Sequence, residues 1–271
     1  MNKLQIPTYY SAFEEVPEEF KGLLFEKALP YYRKHDPPSD TIVLCFHGFS
    51  AVPFEIKVIA DAIFDVGMDV AATLQPFHGY KRIEDQKLYW PRMTKDIMFN
   101  AAKLEISKAR QRYKKVFMYG QSMGGAITLS MAGMGLVDAV AGTAPAIRLP
   151  FNGRILAPLF APFNVNLPKG ERLFDSPGYD FNNARAAKEL GKIAKFARDN
   201  LENISVPVFV CHNTHDDAIN GKITVGWMKD KIKDFKVSWF DEFEKDAHVL
   251  PLDVKRDEVA KEIAEFFASH R

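Results

Sequence analysis

Lys115-Val116-Phe117-Met118-Tyr119-Gly120-Gln121-Ser122-Met123-Gly124-Gly125-Ala126-Ile127 is the stretch that decides how this chain folds. It begins as a short apolar strand and ends as the opening of a helical pattern over Met123 to Met134. A Gly-x-Ser-x-Gly pentapeptide alone is a weak signal. Between a strand and a helix it becomes a tight turn that projects a serine Oγ above the end of a sheet. The glycines at 120 and 124 are needed because larger side chains would collide with the neighbouring strand and helix. The competing reading, a small-residue turn around an unreactive serine, does not account for the flanking elements.

The same alternation extends in both directions. Thr41-Ile42-Val43-Leu44-Cys45-Phe46 is a continuous apolar run, as expected of a strand buried on both faces. A helical pattern follows over Pro53 to Val66, then a strand over Met68 to Leu74. Trp90 to Tyr113 reads as one long amphipathic helix. Strands are expected at Asp138 to Ala144, Val206 to Cys211 and Phe235 to Phe240, with helices near Ala184 to Leu201, Lys222 to Asp230 and Arg256 to Ser269. Strands alternating with helices predict an α/β protein with a mostly parallel central sheet and helices on both faces. The region from Glu18 to Tyr32 reads either as an outer helix or as part of an opening hairpin.

The rhythm breaks between Ala146 and Asn203, where Pro150, Pro158, Pro162, Pro168 and Pro177 interrupt apolar clusters. A segment this long is not a plain connection. The expected organisation is an N-terminal extension over residues 1–40, a core over 41–145 and 204–271, and an inserted cap over 146–203.

A serine hydroxyl needs a base to take its proton as it attacks. The chain order expected in this architecture is Ser, then Asp or Glu, then His. His212-Asn213-Thr214-His215-Asp216-Asp217 follows a strand end, so Asp216 is the candidate acid and Asp217 its alternative. His248 lies between the last strand and the last helix and is the candidate base; His270, the penultimate residue, is its competitor. The acid would hold the imidazole in the useful tautomer and stabilise the imidazolium. A developing oxyanion needs backbone N–H donors in place. Met123, after the serine, and Phe49, in His47-Gly48-Phe49 after the strand ending at Phe46, are the candidates. His212, His215 and Asp216 are metal ligands by type, but zinc ligands at that spacing usually sit on a helix, so no metal is expected.

Composition excludes other classes. Among 271 residues, 36 basic and 35 acidic side chains leave a formal net charge of +1, which argues against capture of nucleic acid or an anionic membrane. The basic grouping from Lys229 to Lys236 is broken by Asp230 and Asp234. Two cysteines, Cys45 and Cys211, sit in apolar runs and behave as small hydrophobes rather than a disulfide framework. Met1 to Phe20 carries four glutamates and no apolar core of a leader, and no stretch reaches the length of a membrane span. The expectation is a cytoplasmic protein without stable membrane insertion and with a small-molecule ester substrate; the sequence sets no oligomeric state.

With these residues in hand, the chain resembles the bacterial carboxylesterase and monoacylglycerol-lipase-like branch of the α/β-hydrolases. The resemblance runs from about Thr41 to the C-terminus and is weakest in the cap. It is carried by His47-Gly48-Phe49-Ser50, Gly120-Gln121-Ser122-Met123-Gly124-Gly125, His215-Asp216-Asp217-Ala218-Ile219-Asn220, and Ala247-His248-Val249-Leu250 followed by Asp253. It implies the α/β-hydrolase fold, no cofactor, Asp216 as the acid, and a cap that shapes an acyl pocket. One departure is Phe77-His78-Gly79-Tyr80, where these enzymes carry Gly-His-Gly. The expected substrate is a carboxylic ester with an apolar acyl or alcohol part, contacted by Phe49, Phe77, Ile155, Leu159 and Val249. The same triad acting on a thioester, C–C or amide bond, acyl transfer, and a ligand-binding protein that no longer turns over are the alternatives.

Overall fold

The computed structural model describes residues 9–170 and 173–271. The expectations for residues 1–8, the start of the N-terminal extension, lie outside them. The strands are β1 (Tyr31–Arg33), β2 (Thr41–Phe46), β3 (Asp69–Thr73), β4 (Lys115–Gln121), β5 (Ala139–Thr143), β6 (Asn166–Pro168), β7 (Phe181–Asn183), β8 (Val208–Asn213) and β9 (Phe235–Phe240). The helices are α1 (Glu18–Lys21), α2 (Lys57–Asp65), α3 (Ile83–Tyr89), α4 (Lys95–Arg110), α5 (Met123–Gly133), α6 (Ala157–Phe160), α7 (Ala184–Asp199), α8 (Gly221–Lys231) and α9 (Arg256–Ala268).

Among the described residues, seven strands form one sheet in the order β1-β3-β2-β4-β5-β8-β9. Its neighbours pair in parallel except β1, which runs antiparallel along β3. The region before Pro38 therefore supplies a short helix and an edge strand on β3. The chain steps outward from β2 to β3, then crosses back to β4 and moves the other way. That reversal opens a crevice beyond the carboxyl ends of β2 and β4, where ligands bind in open α/β sheets. Register sets those ends level: Phe46 faces Gly120, and Gln121 faces Thr143.

The alternation of side chains along a strand divides the core in two. Ile42, Leu44 and Phe46 point into a cluster with residues of α4, α5, α7 and α8, whereas Val43 and Cys45 point into a second cluster with α2 and α9. Cys45 and Cys211 are both buried in this second cluster as free thiols.

Two expectations about this chain need correction. The helix expected from Trp90 to Tyr113 begins late: Trp90–Arg92 is a tight turn after α3, a helix not expected, and the helix itself, α4, runs only from Lys95 to Arg110. Pro91 lacks the N–H that a continuous helix would use, and Thr94 caps the restart by accepting from Ile97 N at 3.2 Å. The turn buries Trp90 completely, 4.8 Å from the Phe49 ring between centroids. The inserted segment is also less separate than expected. Its outer part holds a π-helical turn at Asn152–Leu156, α6 and the β6–β7 ribbon. Its last helix, α7, instead sends Ala186, Leu190, Ile193, Ala194 and Ala197 into the first core cluster. Asn183 starts α7 by accepting from Arg185 N and Ala186 N. No helix of the described residues is long and apolar enough to cross a membrane.

Candidate active site

Ser122 follows directly on β4 and precedes α5, with φ 50° and ψ −108°. A non-glycine residue at such an angle stores about 1–3 kcal/mol of strain that the surroundings must hold. Ser122 N donates to Thr143 O at 2.9 Å, and Ser122 O accepts from Ala126 N and Ala146 N at 3.0 Å each. The turn is tight enough that a Cβ on Gly120 would lie 2.2 Å from the Gly124 backbone, and one on Gly124 would lie 2.2 Å from Phe46 O. Only glycine fits at either place.

Ser122 Oγ lies 2.9 Å from His248 Nε2, and His248 Nδ1 lies 2.8 Å from Asp216 Oδ2. The other oxygen of Asp216 accepts from Ala218 N and Ile219 N at 2.9 Å each. With Oδ1 held by two donors, Oδ2 is left for the ring. Asp217, the alternative acid, is exposed, and His270 instead contacts Phe266 O at 2.7 Å on α9. Burial works against protonation of His248, but the adjacent Asp216 charge outweighs it and raises the imidazole pKa above its ordinary value.

The loop carrying His248 is braced at its backbone. Asp253 accepts from the N–H groups of Glu244, Lys245, Asp246 and Val254 at 2.6–2.9 Å. Burial alone would raise the Asp253 pKa, yet these four donors bring it below the usual range. His248 N donates to Asp246 Oδ1 at 2.8 Å, and His248 O accepts from Gln121 Nε2 at 2.9 Å. Gln121 Oε1 in turn accepts from Thr143 Oγ1, which is 2.8 Å from the Tyr119 hydroxyl.

The loop after β2 is fixed with equal care. His47 Nε2 accepts from Gln75 N at 3.0 Å, so its proton sits on Nδ1 and is donated to Gly48 O at 2.9 Å. Burial, with His78 adding to it, holds the His47 pKa well below its ordinary value and keeps the ring neutral. Gly48 O also accepts from Ala51 N. Because a trans peptide is planar, fixing Gly48 O aims Phe49 N–H the opposite way. Among the described residues that N–H has no acceptor. Met123 N–H opens α5 and belongs to the first turn, whose donors lack intrahelical partners. Ser50 O accepts from Tyr179 N at 3.0 Å and Ser50 Oγ from Lys169 Nζ, so the inserted segment clasps the loop.

These groups open onto a cavity of about 680 Å³. Phe49, Leu149, Leu156, Phe160, Leu190 and Val249 give it apolar walls, and Glu55, Lys169 and Asp246 give it a polar edge. The structure thus brings Ser122, His248, Asp216, Phe49 and Val249 together, but three expected contacts lie elsewhere. Ile155 and Leu159 face outward, 50% and 61% exposed, while Leu156 on the π-helical turn and Phe160 on α6 face the cavity instead. Phe77 is buried in the first core cluster, and its carbonyl accepts from the Tyr179 hydroxyl at 2.7 Å. His215 is exposed beside Phe243 while His212 is fully buried, and among the described residues no three potential metal ligands stand together. Glu55, Gln121, Asp246 and Asp253 were given no role by sequence reasoning; of these Gln121 and Asp253 left a signal, as parts of the resembling segments.

Comparison with solved structures places the fold. One of the metagenome-derived lipolytic enzymes LipS and LipT is 21% identical, with 92% of this chain and 100% of that chain covered and a TM-score of 0.79. The monoacylglycerol lipase of Paleococcus ferrophilus is 17% identical over 90% and 99% of the two chains, TM-score 0.73. A soluble variant of the monoglyceride lipase from Saccharomyces cerevisiae is 19% identical over 97% and 98%, TM-score 0.73. At these identities the likeness shows the α/β-hydrolase fold expected above. A search of curated proteins finds no match. The family described as serine aminopeptidase, S33 matches residues 37–173, just over half of the 271 residues, and the chain belongs to that family of α/β-hydrolases.

Proposed function

We propose that the protein hydrolyses carboxylic esters with an apolar acyl or alcohol part through an acyl-enzyme on Ser122. The observation that carries this reading is the unbroken line from Ser122 Oγ through His248 to Asp216, at 2.9 and 2.8 Å, opening on an apolar-walled cavity. His248 Nε2 takes the Ser122 proton as Oγ attacks the ester carbonyl. Asp216 holds the ring with its Nδ1 proton inward and stabilises the imidazolium. Phe49 N–H and Met123 N–H receive the oxyanion. The tetrahedral intermediate collapses, the C–O bond breaks, and the alcohol leaves with the proton from Nε2. Water then repeats the sequence on the acyl-enzyme and releases the acid. Residues 146–203 act as the cap, with Leu149, Leu156, Phe160 and Leu190 as the walls for the apolar part. None of these steps calls on a cofactor.

The test is chain-length profiling of pure protein on nitrophenyl esters from acetate to decanoate. Turnover that is lost in Ser122→Ala supports the reading, and the absence of turnover on every ester overturns it. The family's description makes peptide-bond cleavage the second reading. An anilide and an ester of one acyl group, supplied together, separate the two by which is consumed.

A further inference from the structure

Glu55 sits in the short turn Pro53–Ile56 after β2, and no step above uses it. Its side chain is buried in the wall of the active-site cavity. Its Oε2 accepts from Gly48 N at 2.6 Å, and Oε1 has no hydrogen-bond partner among the described residues. A carboxyl group so far withdrawn from water carries a desolvation cost that the one Gly48 N–H offsets only in part. Gly48 is the residue whose carbonyl shares a peptide plane with Phe49 N–H.

We propose that Glu55 is a positioning residue for the oxyanion loop, anchoring the Gly48 amide so that the following amide, Phe49 N–H, is held toward the reacting carbonyl. The proposal rests on the ester-hydrolase reading of the same site. Gly48 is fastened on two sides: its carbonyl by His47 Nδ1 and Ala51 N, its amide by Glu55. Removing the Glu55 anchor frees the peptide that precedes Gly48. The loop keeps its fold through Ser50 and Tyr179 and its carbonyl contacts at Gly48, but Phe49 N–H loses one of its two supports and is aimed less firmly.

The groups facing the carboxyl come from three other parts of the fold. His248 and Asp246 lie on the loop before α9, Lys169 on the inserted segment just beyond β6, and Tyr119 on β4. Burial raises the Glu55 pKa to about 7, while the Gly48 N–H, His248 and Lys169 pull it back and Asp246 adds to the rise. An ionised Glu55 favours imidazolium at His248 and so raises the pKa of that ring.

The experiment compares wild-type protein, Glu55→Gln and Glu55→Ala on one medium-chain nitrophenyl ester from pH 5.5 to 9, with a melting curve for each. Glu55→Ala is expected to lower kcat by about ten- to a hundredfold, part of what an oxyanion donor supplies, with KM changed less than about threefold. Glu55→Gln keeps an acceptor for Gly48 N–H and is expected to recover most of that loss. Wild-type kcat in folded Glu55→Ala overturns the proposal, as does a Glu55→Gln variant that recovers none of the loss. Should Glu55→Ala fail to fold, wild-type kcat in a folded Glu55→Leu variant overturns it instead. If wild-type protein itself turns over no ester, the ester-hydrolase reading falls and this inference falls with it; turnover by wild type with either overturning result removes the inference alone.

Discussion

Asp216→Asn replaces one carboxylate oxygen by an NH₂ of nearly the same shape, and the structure dictates which one. Oδ1 accepts two backbone N–H groups, from Ala218 and Ile219. Setting the amide NH₂ there would confront donors with a donor and forfeit about 2 kcal/mol of hydrogen bonding. The asparagine oxygen therefore stays with the two amides, and its NH₂ faces His248 Nδ1. That nitrogen then has to accept, so the ring proton moves to Nε2, 2.9 Å from Ser122 Oγ. The base now presents a proton where it should receive one. The expected loss in kcat is about 10⁴-fold, the size seen when a triad histidine is held in the wrong tautomer, equivalent to about 5.5 kcal/mol of barrier.

The assay is steady-state hydrolysis of a nitrophenyl ester, with melting curves to show that the variant is folded. Labelling of Ser122 by a fluorophosphonate provides a second readout and should slow in parallel. Asp217→Asn, at an exposed neighbouring position, should stay within about twofold of wild type. An Asp216→Asn variant that keeps more than a tenth of wild-type kcat would refute the tautomer argument. A larger loss in Asp217→Asn would show that the acid is misassigned.

Other expectations follow from the same geometry. Ser122→Gly abolishes turnover yet stabilises the fold, because glycine relieves the positive φ and loses part of that gain to its own chain entropy. The net gain is about 1 kcal/mol, read as a rise in Tm of roughly 2–4 °C. The raised His248 pKa means that the base is protonated, and activity lost, as pH falls through a value above about 6.5; an acid limb below that value would contradict it. Leu156→Trp should cut kcat/KM for long-chain esters at least about tenfold relative to acetate, by filling part of a 680 Å³ cavity. Ile155→Trp, on the outer face, should leave the chain-length profile unchanged.

What could be read from the sequence was whatever is local. β2 and β4 announce themselves as apolar runs, and the elbow declares its turn through glycines that backbone contacts of 2.2 Å make unavoidable. Chain order then picked out His248 and Asp216. The turn at Trp90–Arg92 was read as the start of the helix because the buried Trp90 and Met93 fall on the same spacing as Ile97 and Ala101, and periodicity registers faces rather than axes. Ile155 and Leu159 were expected at the pocket because the stretch from Ile155 to Val165 is apolar and almost free of charge, and composition does not say which side of a short helical turn faces inward. The edge strand β1 stayed ambiguous because three residues carry too little pattern to separate a hairpin from a pairing with the more distant β3.

The residues that sequence reasoning missed share a physical character. Gln121, Asp246, Asp253 and Glu55 each bind backbone groups of a loop, and a hydrogen bond to a backbone amide leaves no trace in the identity of the residue that donates it. Gln121 reaches a carbonyl 127 positions away. Reacting groups stand beyond four strand ends, and the loops after two of them are held by buried polar side chains: His47 and Glu55 for the oxyanion loop after β2, Asp253 and Gln121 for the histidine loop after β9. Ser122 and Asp216 are held by backbone contacts, Ser122 within the strained turn itself. Donors that must not reorganise as charge develops need such bracing. It follows that the chemistry of this site is specified by residue type in the triad, but its precision is specified by polar contacts that only the folded chain brings together.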